Sequence, residues 1–242
     1  MSIVVPLDKD LDWFCDQSWW NALLSEERSK AYFELLLAHL KEAREAKKEI
    51  YPPFTRMFRW SILCRFPDVK VVILGQDPYQ RKGQADGLAF SVEQSCTKIP
   101  PTLQVIFKEL KASIPAFKVP DHGSLARWAA SGVLLINSVM SIEANGSRHS
   151  KAVVSGWTSL TDRIVQVVAR DSPLPVVFML WGKVAQKKRQ LIEGSGAKVE
   201  HLVICTQHPS PIGPNGRFVG SGCFVKANEF LGCERAINWA DL

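Results

Sequence analysis

Four short stretches of the chain are almost continuously apolar: Val69-Lys70-Val71-Val72-Ile73-Leu74, Gly132-Val133-Leu134-Leu135-Ile136, Pro175-Val176-Val177-Phe178-Met179-Leu180 and His201-Leu202-Val203-Ile204-Cys205. Each is rich in β-branched or bulky residues and lacks polar alternation, the pattern of a strand buried on both faces. Between them, apolar residues recur at helical spacing. Leu103, Ile106, Phe107 and Leu110 share one face of a helix that Thr102 is placed to cap. Trp157, Leu160, Ile164 and Val168 share a face of another that Ser155 is placed to cap. A third helix is predicted over 184–193, carrying Lys187-Lys188-Arg189. Ahead of the strands, Ser25, Glu26 and Glu27 open a long amphipathic helix over 25–48, striped by Tyr32, Leu35, Leu36 and Leu40, which Ile50-Tyr51-Pro52-Pro53 ends. Strand and helix in alternation predict an α/β fold. One domain is expected over residues 1–242, a mostly parallel four-stranded sheet with helices on both faces, with an acidic helical segment over about 1–50.

In open parallel sheets, ligands gather beyond the carboxyl ends of the strands. Those ends read Gly75-Gln76-Asp77-Pro78-Tyr79-Gln80, Asn137-Ser138, Trp181-Gly182-Lys183 and Thr206-Gln207-His208-Pro209-Ser210-Pro211. If the strands are neighbours, one crevice receives Asp77, Asn137, Lys183 and His208. Each has an ordinary alternative, since Asp before Pro forms turns, Asn caps strands and His208 can pack in a turn. Their joint occurrence at four exits favours a site. A G-x-x-x-x-G-K-[ST] phosphate loop and a G-x-S-x-G elbow are both missing, and Gly83 and Gly87 are too sparse for a dinucleotide fingerprint. An Asp77–His208–Ser210 triad is disfavoured, because Ser210 lies between prolines with nothing to activate it.

Charge narrows the partner. The 242 residues carry 30 basic and 24 acidic side chains, net +6, which permits nucleic acid without establishing it. The distribution is uneven. Residues 1–50 hold 7 basic and 10 acidic side chains, net −3, and residues 51–242 hold 23 and 14, net +9. The stretch 181–226, which includes two strand exits, has 7 basic and 2 acidic residues. The six cysteines form no Cys-x-x-Cys pair and do not cluster with the five histidines at zinc-ligand spacing, so reduced, mostly buried thiols and no metal are expected. The N-terminus lacks a signal-peptide pattern and no apolar run reaches membrane-spanning length; a soluble intracellular protein, not bound to membrane, is expected.

The strand exits resemble the family 1 uracil-DNA glycosylases. Val71-Val72-Ile73-Leu74-Gly75-Gln76-Asp77-Pro78-Tyr79 resembles their water-activating loop, and Gly87-Leu88-Ala89-Phe90-Ser91-Val92 their base-stacking segment. Ile99-Pro100-Pro101-Thr102-Leu103 is similar to their proline-rich loop, Leu134-Leu135-Ile136-Asn137 to their uracil-reading strand end, and His208-Pro209-Ser210-Pro211-Ile212 to their minor-groove intercalation loop. Tyr51-Pro52-Pro53, Trp181-Gly182 and Lys226-Ala227-Asn228-Glu229 also match, and Arg59-Trp60 resembles herpesviral members. The motifs follow the family's order from about residue 20 to the C-terminus.

The resemblance implies hydrolysis of the N-glycosidic bond of uracil in single- and double-stranded DNA, after base flipping, releasing uracil and leaving an abasic site with no lyase step. Asp77 would orient or deprotonate water and stabilise the sugar cation, and His208 would stabilise the leaving anion at O2. Phe90 would stack on the base, Asn137 would pair with O4 and N3–H, Tyr79 would exclude a C5 methyl, and the Gln76 backbone would help read O2. Pro100, Pro101, Thr102, Gly182, Lys183 and Ser210 would meet the DNA backbone, and Ile212 would wedge into the stack in place of the usual Leu. No cofactor and no metal are implied. A monomer is expected, nuclear if the source is eukaryotic or a nuclear-replicating virus and cytoplasmic otherwise. Replication or repair proteins stand as further candidate partners. The departures are Gln80 and Asp86 for His, and Lys183 and Gly213 for Ser; Asp86 is expected to add negative charge near the site. Two other readings stay open at this point: a glycosylase-like binding scaffold for a replication machine, and excision of a different damaged base.

Overall fold

The computed structural model describes residues 3–144, 149–211 and 218–242. The chain opens with a hairpin, β1 (Val4–Asp8) and β2 (Trp13–Asp16), paired antiparallel. Short helical turns over 17–27 follow, then helix α1 (Ala31–Glu45) and a two-residue strand β3 (Ile50–Tyr51). The main sheet begins with β4 (Val71–Gly75). Helix α2 (Pro101–Ser113) leads to β5 (Val133–Asn137) and to β6 (Ile142–Glu143), which pairs with β3. Helix α3 (Lys151–Asp171), β7 (Val177–Trp181), β8 (Leu202–Thr206) and helix α4 (Cys223–Leu231) complete the chain.

The main sheet has the order β5-β4-β7-β8 and every pairing in it is parallel. β4 steps to β5 on one side, and the chain then passes over β4 to β7 on the other. This reversal opens a crevice beyond the carboxyl end of β4. Most buried apolar side chains form one cluster from Leu7 in the hairpin to Trp239 near the C-terminus, and Tyr51, Ala85 and Ile142 form a second, small one under the β3–β6 pair. Among the described residues no helix is long and apolar enough to cross a membrane.

Several local expectations are corrected. The segment 1–50 is not wholly helical, because it opens with the hairpin, whose turn places Asp12 at φ 54°. The helix over 25–48 is broken at Lys30, which is extended and precedes α1. Tertiary contacts decide the break. Glu27, 2% exposed, accepts from Tyr32 and from Arg163 Nε of α3 at 3.1 Å, and so holds the preceding turn out of line. The buried stripe of α1 is Phe33, Leu36, Leu40 and Ala43, while Leu35 is 56% exposed. The stripe packs on α3, where a Cβ at Gly156 would lie 3.0 Å from that of Leu36. Ser25 and Ser155 are not caps: Ser25 continues a helical turn, and Ser150 caps α3 by accepting from Val153 N at 3.4 Å. Pro100 takes the cap position of α2 in place of Thr102. The helix over 184–193 is two pieces, Gly182–Gln186 and Arg189–Glu193. β8 lies at the sheet edge, so it is only partly buried and leaves Cys205 exposed. Of the six free cysteines, Cys15, Cys64 and Cys223 are buried, whereas Cys205 and Cys233 are exposed and Cys96 is intermediate.

Candidate active site

The parallel register sets the first element of the site. Gly75, the last residue of β4, is the partner of Asn137, the last residue of β5. A Cβ on Gly75 would lie 2.0 Å from Asn137 Oδ1, so the amide occupies space that only glycine leaves. Pairing runs on past the strand ends, with Ser138 N donating to Gly75 O at 3.0 Å and Val139 N to Gln76 O at 3.0 Å. Thr161 of α3 donates to the Asn137 carbonyl at 3.0 Å. The backbone beneath the Asn137 amide is therefore tied from two sides.

Beyond these strand ends lies a cleft of about 390 Å³. Gln76, Asp77, Tyr79, Phe90, Thr102, Asn137 and His208 all line it, so the structure brings together every predicted catalytic and base-reading residue. Asp77 is exposed to the cleft, and Gln76 Nε2 donates to its Oδ2 at 2.9 Å. The Gln76 side chain thus holds the carboxylate, a contact separate from the backbone role the resemblance implies. Tyr79 is fixed in orientation. Its hydroxyl donates to the Phe90 carbonyl at 3.2 Å, and since a carbonyl can only accept, Thr102 donates to the phenol oxygen at 2.8 Å. Burial pushes the Tyr79 phenol up to about 12, so its wall of the cleft is uncharged at neutral pH. Phe90 holds an uncommon left-handed backbone, φ 64°. Its ring leans on Trp181 at a centroid distance of 5.2 Å and faces the His208 ring at 6.1 Å.

His208 follows β8. Gln186 Nε2 donates to Thr206 O at 2.7 Å, and Ser210 N donates to His208 O at 2.7 Å, which gives the segment after β8 its turn. Gly182, at φ 84°, lies against it, and a Cβ there would stand 2.9 Å from that of His208. The imidazole keeps an edge to solvent, yet partial desolvation holds it below the ordinary histidine value and neutral at pH 7. A shallower hollow of about 220 Å³ adjoins the cleft at His208, lined also by Gln76, Trp181, Gly182 and Lys183.

Of the residues predicted to meet a DNA backbone, Gly182 and Lys183 line this hollow. Pro100 and Pro101 form the start of α2 next to Thr102. Ser210 lies in the turn after His208, and Ile212 and Gly213 fall outside the described residues. One expectation changes in sense. Asp86 is wholly buried and ion-paired to Arg59 at 2.7 Å, so its charge is compensated inside the fold and is not added to the cleft. Sequence reasoning missed Gly75, Trp181 and Arg59 as determinants of the site. A glycine closing an apolar strand directly before Gln-Asp-Pro was the available signal for the first.

Comparison with known proteins points one way. The sequence profile of the Uracil DNA glycosylase superfamily matches residues 63–232. A uracil-DNA glycosylase of Francisella philomiragia is 43% identical over 212 residues, covering 88% of this chain and 94% of the relative. That of Caenorhabditis elegans is 40% identical over 226 residues, covering 92% of this chain and 77% of the relative. The crystal structure of mimivirus uracil-DNA glycosylase superposes with a TM-score of 0.77 at 29% identity, covering 94% of this chain and 86% of that one.

Proposed function

The chain belongs to the Uracil DNA glycosylase superfamily and excises uracil from DNA, and we propose that Asp77, Asn137 and His208 carry the reaction while Tyr79 and Phe90 shape the pocket. The observation that carries this assignment is their convergence on one cleft at the reversal point of the sheet, with the Asn137 amide seated over Gly75.

The base leaves the duplex before its glycosidic bond can be reached. In the cleft the Phe90 ring stacks on the uracil face. The Asn137 carboxamide accepts from N3–H and donates to O4, and cytosine, with the opposite donor and acceptor order, leaves both sides unpaired. Tyr79 stands where C5 arrives. Because its hydroxyl is tied at both ends, the ring does not swing aside for a methyl group. As the C1′–N1 bond breaks, its electron pair stays with uracil, and the sugar gains cationic character. The neutral His208 imidazole donates a hydrogen bond to O2, where the negative charge collects. Water adds to C1′, and the Asp77 carboxylate, held by Gln76, stabilises the cation and receives the water's proton. The products are free uracil and an abasic site.

Thr102, Gly182, Lys183 and Ser210, with Pro100 and Pro101 shaping their loop, meet the phosphates on either side of the flipped nucleotide, and Ile212 fills the space it leaves. The net positive stretch 181–226 supports a backbone track on that side. The reading includes a monomer, nuclear if the source is eukaryotic or a nuclear-replicating virus and cytoplasmic otherwise. Replication or repair proteins remain as further partners for the acidic N-terminal segment.

Asn137→Asp tests the base-reading assignment. A carboxylate offers no donor to O4, and uracil release is expected to fall by about 10²-fold or more while cytosine release rises relative to it. Free-base release from matched uracil and cytosine oligonucleotides measures both. An unchanged uracil-to-cytosine ratio would remove Asn137 from the reading.

A further inference from the structure

Behind the Phe90 wall, and reaching the cleft lining through Ser91, lies a buried polar cluster that the reaction does not use. The Asp86 carboxylate is 0% exposed and joins its own short segment, 86–91, to Arg59. Its Oδ2 accepts from Arg59 at 2.7 Å and from the Ser91 hydroxyl at 2.9 Å, and its Oδ1 accepts from Leu88 N at 3.2 Å. The Ser91 hydroxyl in turn accepts from Leu125 N at 3.0 Å, and Arg59 also donates to the Asp86 carbonyl at 3.3 Å. The carboxylate therefore closes residues 86–91 into a loop anchored to two other parts of the fold. Phe90 is the aromatic ring that the loop presents to the cleft, in a left-handed backbone that persists only where surrounding contacts over-determine it.

We infer that Asp86, held by Arg59, is a positioning residue that fixes the Phe90 ring for base stacking, and that the two side chains act as one unit. A buried carboxylate without a cation is costly, and an imidazole at position 86 would offer the guanidinium one acceptor nitrogen at most and no negative charge. Aspartate in place of the family's usual histidine therefore belongs with Arg59. The loop is gripped from its other side as well. Tyr79 donates to the Phe90 carbonyl, and Gly87, at φ 89°, passes so close to Arg56 that a Cβ would stand 1.9 Å from its carbonyl oxygen. Burial raises the Asp86 carboxyl above its ordinary value, with Arg59 and Ser91 opposing the rise, as expected of a charge kept inside the protein by its partners.

The inference rests on the reading of Phe90 as the stacking ring, and its test keeps the two apart. Three quantities are measured for the unaltered chain, Asp86→Asn, Arg59→Gln and the double variant. They are uracil release, inhibition by free uracil, and affinity for duplex DNA with a tetrahydrofuran abasic analogue, which has no base to stack. In Asp86→Asn one carboxylate oxygen becomes an NH2, which then faces either the Arg59 guanidinium or Leu88 N donor to donor, and the charge that pairs with Arg59 is gone. The inhibition constant of free uracil is expected to rise about tenfold, and kcat/KM to fall by at least as much, because small misplacements of positioning groups cost up to about 10²-fold. Abasic-DNA affinity stays within about twofold, because the phosphate contacts are elsewhere. The double variant is no worse than the worse single one. Unchanged uracil inhibition in folded Asp86→Asn, parallel losses on uracil and abasic DNA, or additive losses in the double variant would each overturn the inference. If Asp86→Asn does not fold, Ser91→Ala removes two ties, to Asp86 and to Leu125 N, and keeps the ion pair. It is expected to weaken uracil inhibition about threefold or more, at least one hydrogen bond's worth, and no change overturns the inference. Failure of the unaltered chain to release uracil would refute the reading of Phe90 itself.

Discussion

Asp77→Asn is expected to lower the single-turnover rate of uracil release by about 10³-fold, because it removes both the proton acceptor and the negative charge facing the developing sugar cation. Binding should change little. Asp77 is exposed in the cleft, and the donation it receives from Gln76 at 2.9 Å has an acceptor to keep in asparagine's carbonyl oxygen. Removing a carboxylate from a surface that meets phosphates also does not weaken DNA affinity. Rapid-quench kinetics beside equilibrium binding to abasic-analogue DNA separates the two quantities. A fall in rate matched by a fall in affinity would mean that Asp77 holds the substrate and does not act on it.

Gly75→Ala comes second in expected size, and through a different cause. The new methyl would stand 2.0 Å from Asn137 Oδ1 and 3.1 Å from the Ala89 Cβ, so the amide must leave its position. The backbone of Asn137 cannot follow, because Gly75 and Asn137 are register partners and the Asn137 carbonyl is held by Thr161. A displacement of about 1 Å in a reading group costs on the order of 10²-fold, and kcat/KM for uracil should fall by at least that factor. Overpacking beside the sheet should also cost about 1–3 kcal/mol of stability. Kinetics with thermal unfolding checks both. A variant with unaltered kinetics would show that the amide need not sit over Gly75.

The strand ends were legible in the sequence, and the reason is physical. A strand of a parallel sheet is apolar on both faces, and the residues where that run stops are where the sheet opens to water. Asp77, Asn137, Lys183 and His208 were found by this rule, and the sheet order β5-β4-β7-β8 brings the four exits to one end. What periodicity misread was settled by contacts between distant residues. The α1 stripe begins at Phe33 because α3 packs there, and the turn before it bends because Arg163 reaches Glu27. Thr102 looked like a cap, but its hydroxyl serves Tyr79 while Pro100 takes the cap position. Asp86 looked like a charge added to the site, since nothing near it in sequence announces Arg59, 27 positions earlier, as its partner. The hairpin was missed because polar turn residues between Leu7 and Trp13 interrupt two strands of only five and four residues.

The most direct test of the account is the release of free base by the unaltered chain, in EDTA, from duplexes and single strands that carry uracil, cytosine or thymine at one position. Rapid release of uracil from both forms of DNA, an abasic site without strand cleavage, and no release of cytosine or thymine are expected. Folded protein that releases no uracil at high concentration, or that releases cytosine as readily as uracil, would contradict the account.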